Sequence, residues 1–134
     1  MKKIIIGIIV FVVFLSLCAC GQDNYNNDAA TLTYTRISAS EARNMMAELD
    51  EFVLLDVRTT QEFEQGHIEG AILISEDVLK VRAGDELLDK DAIIFVYCRS
   101  GRRSVSAART LVDLGYTNVY DFGGIESWPY EVVR

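Results

Sequence analysis

Three runs of the chain, Phe52–Leu55, Ala71–Ile74 and Ala92–Tyr97, are apolar at every position rather than at every second one. A strand with one wet face alternates in polarity, so unbroken apolar strands are covered on both faces, which calls for a mostly parallel sheet between two layers of helix. The segments between the runs agree. Ser38-Ala39-Ser40-Glu41 has the spacing of a capping box, and Ala42, Met45, Met46 and Leu49 follow it at i, i+3, i+4 and i+7, the stripe of an amphipathic helix. That stripe assigns both methionines to the core. Further helices are expected over Thr60–Gln65, closed by Gly66; from Ser75 onward; and from Arg102 or Arg103 to Leu114, with Val105, Ala108, Leu111 and Val112 on one side and Gly115 as the stop. Short strands are expected over Tyr34–Ile37 and Val119–Phe122. The alternation predicts a single α/β domain with a mostly parallel central sheet and helices on both faces, whose ligands gather beyond the carboxyl ends of the strands.

The start of the chain does not belong to that domain. Met1-Lys2-Lys3 precedes the apolar run Ile4–Leu17, whose about 14 residues rise only about 21 Å as a helix, short of a hydrocarbon core of about 30 Å. A secretory signal fits this better than a membrane span, although extending the run through Cys20 leaves a retained anchor as the alternative. Leu17-Cys18-Ala19-Cys20-Gly21 resembles the lipobox of bacterial lipoproteins. The resemblance implies cleavage before Cys20, a diacylglyceryl group on its sulfur, and a protein held by lipid at the cell membrane, on the extracytoplasmic side of a bacterial cell. Residues 1–19 are then a signal peptide, 20–32 a flexible tether and 33–134 the folded domain. Gln22–Thr31, polar and without apolar period, suits a tether.

Charge narrows the partners. The net charge is −7, and without Lys2 and Lys3 eleven basic residues face twenty acidic ones. A basic face for nucleic acid or anionic lipid is disfavoured, so any anion site must be local. One such site stands out. Cys98, the one cysteine outside the leader, directly follows the most apolar strand, and Arg99-Ser100-Gly101-Arg102-Arg103-Ser104 leads straight into a helix. A tight turn from strand to helix aims backbone N–H groups inward at the positive end of the helix dipole, Gly101 permits close approach, and three arginines add full charge. Such surroundings favour thiolate over thiol and predict a nucleophilic Cys98 without a partner base.

Cys98-Arg99-Ser100-Gly101-Arg102-Arg103-Ser104 resembles the active-site loop of the rhodanese family, Cys-x-x-Gly-x-Arg followed by a small residue. Leu55-Asp56-Val57-Arg58 with Glu62-Phe63, Gly66-His67-Ile68-Glu69-Gly70-Ala71, and Phe122-Gly123-Gly124 with Trp128 match the family's other landmarks in order, from Ile37 to Trp128. The chain departs from the family at Leu73 and Ser75, where an Asn and a Pro are usual. The resemblance implies a sulfurtransferase in which Cys98 takes a sulfane sulfur from a small anionic, thiosulfate-like donor, becomes a persulfide and passes the sulfur to a thiol or cyanide-like acceptor. It also implies that Arg99, Ser100, Gly101, Arg102, Arg103 and Ser104 bind the donor, Arg99 and Arg103 foremost, with Arg102 as readily facing water. No cofactor is implied, and a monomer is expected.

Rival readings are weaker. A phosphatase or arsenate reductase loop places its arginine six positions after the cysteine, where this chain has Ser104. A Cys/His hydrolase would need His67, the single histidine, which lies in a glycine-rich turn and reads as structural. Asp56 and Arg58 read as a salt bridge or turn cap, and Trp128 as packing for the C-terminal segment. One histidine and one cysteine supply no metal site. The alternative of a different class is a non-enzymatic module at the cell envelope that binds a partner or senses reactive sulfur.

Overall fold

The computed structural model describes residues 33–134. The expected signal peptide, the expected tether and the expected lipidation at Cys20 lie outside the described residues. Within them the chain runs β1 (Thr35–Arg36), α1 (Ala39–Glu48), β2 (Val53–Asp56), α2 (Thr60–Gln65), β3 (Ile72–Leu73), α3 (Glu76–Glu86), β4 (Ile93–Cys98), α4 (Arg102–Asp113) and β5 (Asn118–Gly124), followed by a 3-10 turn, Ile125–Ser127. The five strands form one sheet in the order β1-β5-β4-β2-β3, every pair parallel. The expected α/β fold with helices on both faces is what the chain adopts.

Crossover handedness accounts for the two layers. From β1 to β2 the chain steps across the sheet one way, and from β3 through β4 to β5 it steps back. Right-handed crossovers in opposite directions put their helices on opposite faces. Accordingly α3 and α4 cover one face, packing Leu79, Ala83, Ala107, Ala108 and Leu111 against Leu55, Ile94 and Val96. On the other face α1 lays Ala42, Met45 and Met46 against Leu54, Phe95, Tyr97 and Trp128. Both methionines are half-buried and pack against the core on the side the stripe predicts.

Central β4 shows the period of two that places the site. Phe95 and Tyr97 point to the α1 face, whereas Ile94, Val96 and Cys98 point to the face under α3 and α4. The sulfur therefore emerges beneath the start of α4. Cys98 is itself the last residue of β4 rather than the first beyond it.

Two expectations need correction. The run Ala71–Ile74 contributes only a two-residue edge strand, and Ile72 is 41% exposed, because β3 has a neighbour on one side only. On α4 the residues that reach the core are Ser104, Ala107, Ala108 and Leu111, while Val105 and Val112 are half-buried. The stripe is turned toward Ser104 because the helix is anchored through that side chain at the site.

Candidate active site

Cys98 lies on the floor of the turn between β4 and α4, 1% exposed. The Gly101 N–H donates to its Sγ at 3.1 Å. Gly101 caps α4 in the left-handed region, φ +100°, a conformation that L side chains rarely adopt, and this folds the turn back over the sulfur. The first amides of a helix lack partners in the preceding turn, so the end of α4 presents N–H groups and a positive partial charge beside Cys98.

The turn is braced from behind. The Ser104 hydroxyl, fully buried, lies 3.1 Å from the carbonyls of both Gly101 and Gly123, to which it donates. It ties the turn to β5 and is not presented to a bound ligand. The Glu126 N–H donates to the Arg99 carbonyl at 3.1 Å. Gly124, paired with Cys98 across the sheet, fits because it has no side chain: a Cβ there would stand 2.2 Å from the Arg99 oxygen.

Most of the arginines around the turn are already engaged. Arg103 makes a two-pronged contact with Glu62 of α2, Nη1 to Oε2 at 2.8 Å and Nη2 to Oε1 at 2.7 Å. Hydrogen bonding from Arg103 holds the Glu62 carboxyl at about 2, far below its ordinary value, with bonds from Thr59 helping. Arg99, well exposed, pairs with Glu126 at 2.8 Å. Arg102 and Ser100 are exposed. Arg58 does not reach toward the sulfur: it is buried against Asp56, Nη2 to Oδ2 at 2.6 Å, and donates to the Gly66 carbonyl at 2.7 Å.

The structure thus gathers the seven residues Cys98 to Ser104 into one turn but gives them different tasks. Two carboxylates that engage its arginines, Glu62 and Glu126, come from distant segments. Glu62 and Arg103 stand 41 positions apart, and the sole local signal at Glu62 is its capping-box spacing from Thr59. His67 stacks on Phe63 with centroids 3.7 Å apart, its Nδ1 3.0 Å from the Phe63 carbonyl, while its backbone pairs with Val133. That is a structural role.

Two depressions flank the turn. One of about 460 Å³ is lined by Arg36, Ser38, Ser100, Gly123 and Ser127 among others. The other, about 150 Å³, includes Arg58, Glu76 and Arg103. A larger hollow of about 760 Å³ lies between α1 and the C-terminal segment, against Arg43, Phe52, Trp128 and Tyr130, and contains no residue of the turn. Among the described residues no cluster of His, Cys, Asp and Glu is placed to hold a metal ion.

Residues 38–130 match the family model for the rhodanese-like domain. The chain is 38% identical over 72 residues to the thiosulfate sulfurtransferase PspE of Escherichia coli, covering 54% of this chain and 69% of that one. It is 36% identical over 98 residues to the thiosulfate sulfurtransferase GlpE of Coxiella burnetii, covering 72% and 89%. Among solved structures it resembles a rhodanese with anions from E. coli (TM-score 0.59, 33% identity, 63% and 99% covered). It also resembles a rhodanese-related protein from Thermoplasma volcanium (TM-score 0.64, 32% identity, 75% and 98% covered).

Proposed function

The chain belongs to the rhodanese-like domain family, and we propose from this that it transfers a sulfane sulfur from a small anionic donor of the thiosulfate type to a thiophilic acceptor through a persulfide on Cys98. The observation that carries the reading is the placement of the Cys98 sulfur under a left-handed turn whose Gly101 N–H donates to it at 3.1 Å, at the positive end of α4. A donor N–H directed at sulfur, with the helix dipole behind it, favours negative charge there both before attack and on the persulfide afterwards.

The steps balance. The Cys98 thiolate attacks the outer sulfur of the donor, a new S–S bond forms, the donor's own S–S bond breaks, and sulfite departs with the bonding pair. A nucleophilic acceptor such as cyanide or a thiolate then attacks the outer sulfur of the persulfide and releases the Cys98 thiolate. Gly101 and the amides at the start of α4 would stabilise the bound anion. Arg99 is the loop arginine freest to follow it, because its pairing with Glu126 is exposed to solvent and correspondingly weak. Arg103, held by Glu62, acts through the shape of the turn until that pair opens. In this reading the domain works outside the cytoplasm on a lipid tether at Cys20, as the lipobox-like Leu17–Gly21 suggests.

Mass spectrometry tests the proposal. Thiosulfate treatment is expected to add one sulfur atom to the Cys98 peptide, cyanide to remove it, and Cys98→Ser to abolish both the gain and the turnover of thiosulfate. A Cys98→Ser protein that still turns over would refute it.

A further inference from the structure

Of the arginines that the loop motif supplies, Arg103 is held by Glu62, and neither Arg99, paired with Glu126 in solvent, nor Arg102 lines a depression beside the turn. Another cation stands beside the turn from elsewhere in the chain. Arg36, on edge strand β1, is paired in register with Asp121 of β5, and its side chain is 64% exposed. Its Nη2 lies 3.7 Å from where a Cβ on Gly101 would be. Gly101 is the residue whose N–H holds the Cys98 sulfur, so standard bond lengths put the Arg36 guanidinium within about 10 Å of that sulfur.

Its nearest carboxylate holds it by charge without a hydrogen bond. Asp121 is fully buried, its Oδ1 accepts from the Gly123 N–H, and its Oδ2 lacks a hydrogen-bond partner. The Arg36 Nε is 3.7 Å from that oxygen, near enough to be drawn toward the site and too far for a hydrogen bond. The guanidinium borders the depression of about 460 Å³ that also contains Ser100 and Ser127, room enough for a tetrahedral oxyanion.

We propose that Arg36 is a donor-binding residue: it takes the sulfonate-like, oxyanionic end of the sulfur donor in the depression between β1 and the Cys98 turn, orienting the sulfane end toward Sγ. This rests on the sulfur-transfer reading for the identity of the donor, but the anion binding itself is separable from turnover.

The test uses the full chain and an inert tetrahedral anion, inorganic sulfate, at constant ionic strength. Sulfate protection of Cys98 against iodoacetamide is read on the Cys98 peptide by mass spectrometry. Arg36→Gln is expected to raise the half-protecting sulfate concentration about fivefold or more, and Arg36→Lys to restore part of the loss. Arg43→Gln, which removes an equal charge beside Tyr130 and away from the turn, is expected to match the native protein. Equal protection in the native protein and Arg36→Gln, or an equal loss in Arg43→Gln, overturns the inference. Should Cys98 fail to gain sulfur from thiosulfate while sulfate protection still depends on Arg36, sulfur transfer falls and the anion site stands.

Discussion

At the scale of single residues the site depends on what glycine lacks. The turn and the end of β5 touch backbone to backbone, and a Cβ at Gly124 would stand 2.2 Å from the Arg99 carbonyl oxygen and 2.7 Å from the Ser100 Cα. Neither neighbour is a flexible side-chain end, so relief must come from moving the turn. Gly124→Ala is expected to destabilise the protein by about 1–3 kcal/mol in urea unfolding, the range of overpacked cores. It should also slow persulfide formation at Cys98 by at least about tenfold, since about 1.4 kcal/mol in the barrier suffices. A variant with native stability and native rate would show that the contact is dispensable. The tight turn at Cys98 and the close approach at Gly101 are legible in the sequence, because a cysteine at the end of an apolar strand and a glycine at the start of a helix have only two residues between them; the left-handed φ of Gly101 came only from the structure. The demand on Gly124 is not legible either, because it arises from a segment more than twenty positions away.

At the scale of elements, the short helix α2 stabilises itself and the turn with one side chain. Glu62 Oε2 accepts from the Thr59 N–H at 3.0 Å, closing the capping box, and both its oxygens receive Arg103. Its carboxyl is held at about 2 against an ordinary 4.5. A carboxyl lowered on folding contributes stability that is complete above about pH 4.5 and lost as the pH falls toward 2. Gln can still serve the capping box, so Glu62→Gln isolates the ion pair. The variant is expected to lose about 1–3 kcal/mol at pH 7, and the difference from the native protein to shrink between pH 4.5 and 2. Denaturant titrations at a series of pH values measure it, and a difference independent of pH would assign the loss to the cap. Strand and helix positions were readable here from apolar runs and capping spacings. The edge position of β3 was not, because strand order depends on the whole sheet.

For the molecule as a whole, one buried polar network joins the strand ends. Arg58 donates to the carboxylate of Asp56, both residues buried, and on to the Gly66 carbonyl, and its guanidinium lies 5.7 Å from the Tyr97 ring centroid. The Tyr97 hydroxyl in turn accepts from the Ile68 N–H at 3.2 Å, and burial pushes its ionisation well above the ordinary phenol range. Together these contacts fasten the Gly66–Ala71 segment over the C-terminal ends of β2 and β4. Arg58→Met would leave Asp56 as a buried charge without its partner, and a loss of about 3–5 kcal/mol in urea unfolding is expected. A change below about 1 kcal/mol would mean that water or a neighbouring cation replaces the guanidinium.

The amino-acid sequence by itself determined the layered α/β architecture and the turn that holds Cys98, since apolar period, capping spacing and a cysteine between strand and helix are all local properties of the chain. Tertiary structure alone decided which carboxylate each arginine meets. Glu62, Glu126 and Asp121 meet Arg103, Arg99 and Arg36 only once parallel strands bring distant segments to one edge of the sheet. Coulomb attraction and hydrogen bonding act over a few ångströms of space, and separation along the chain carries no record of that distance.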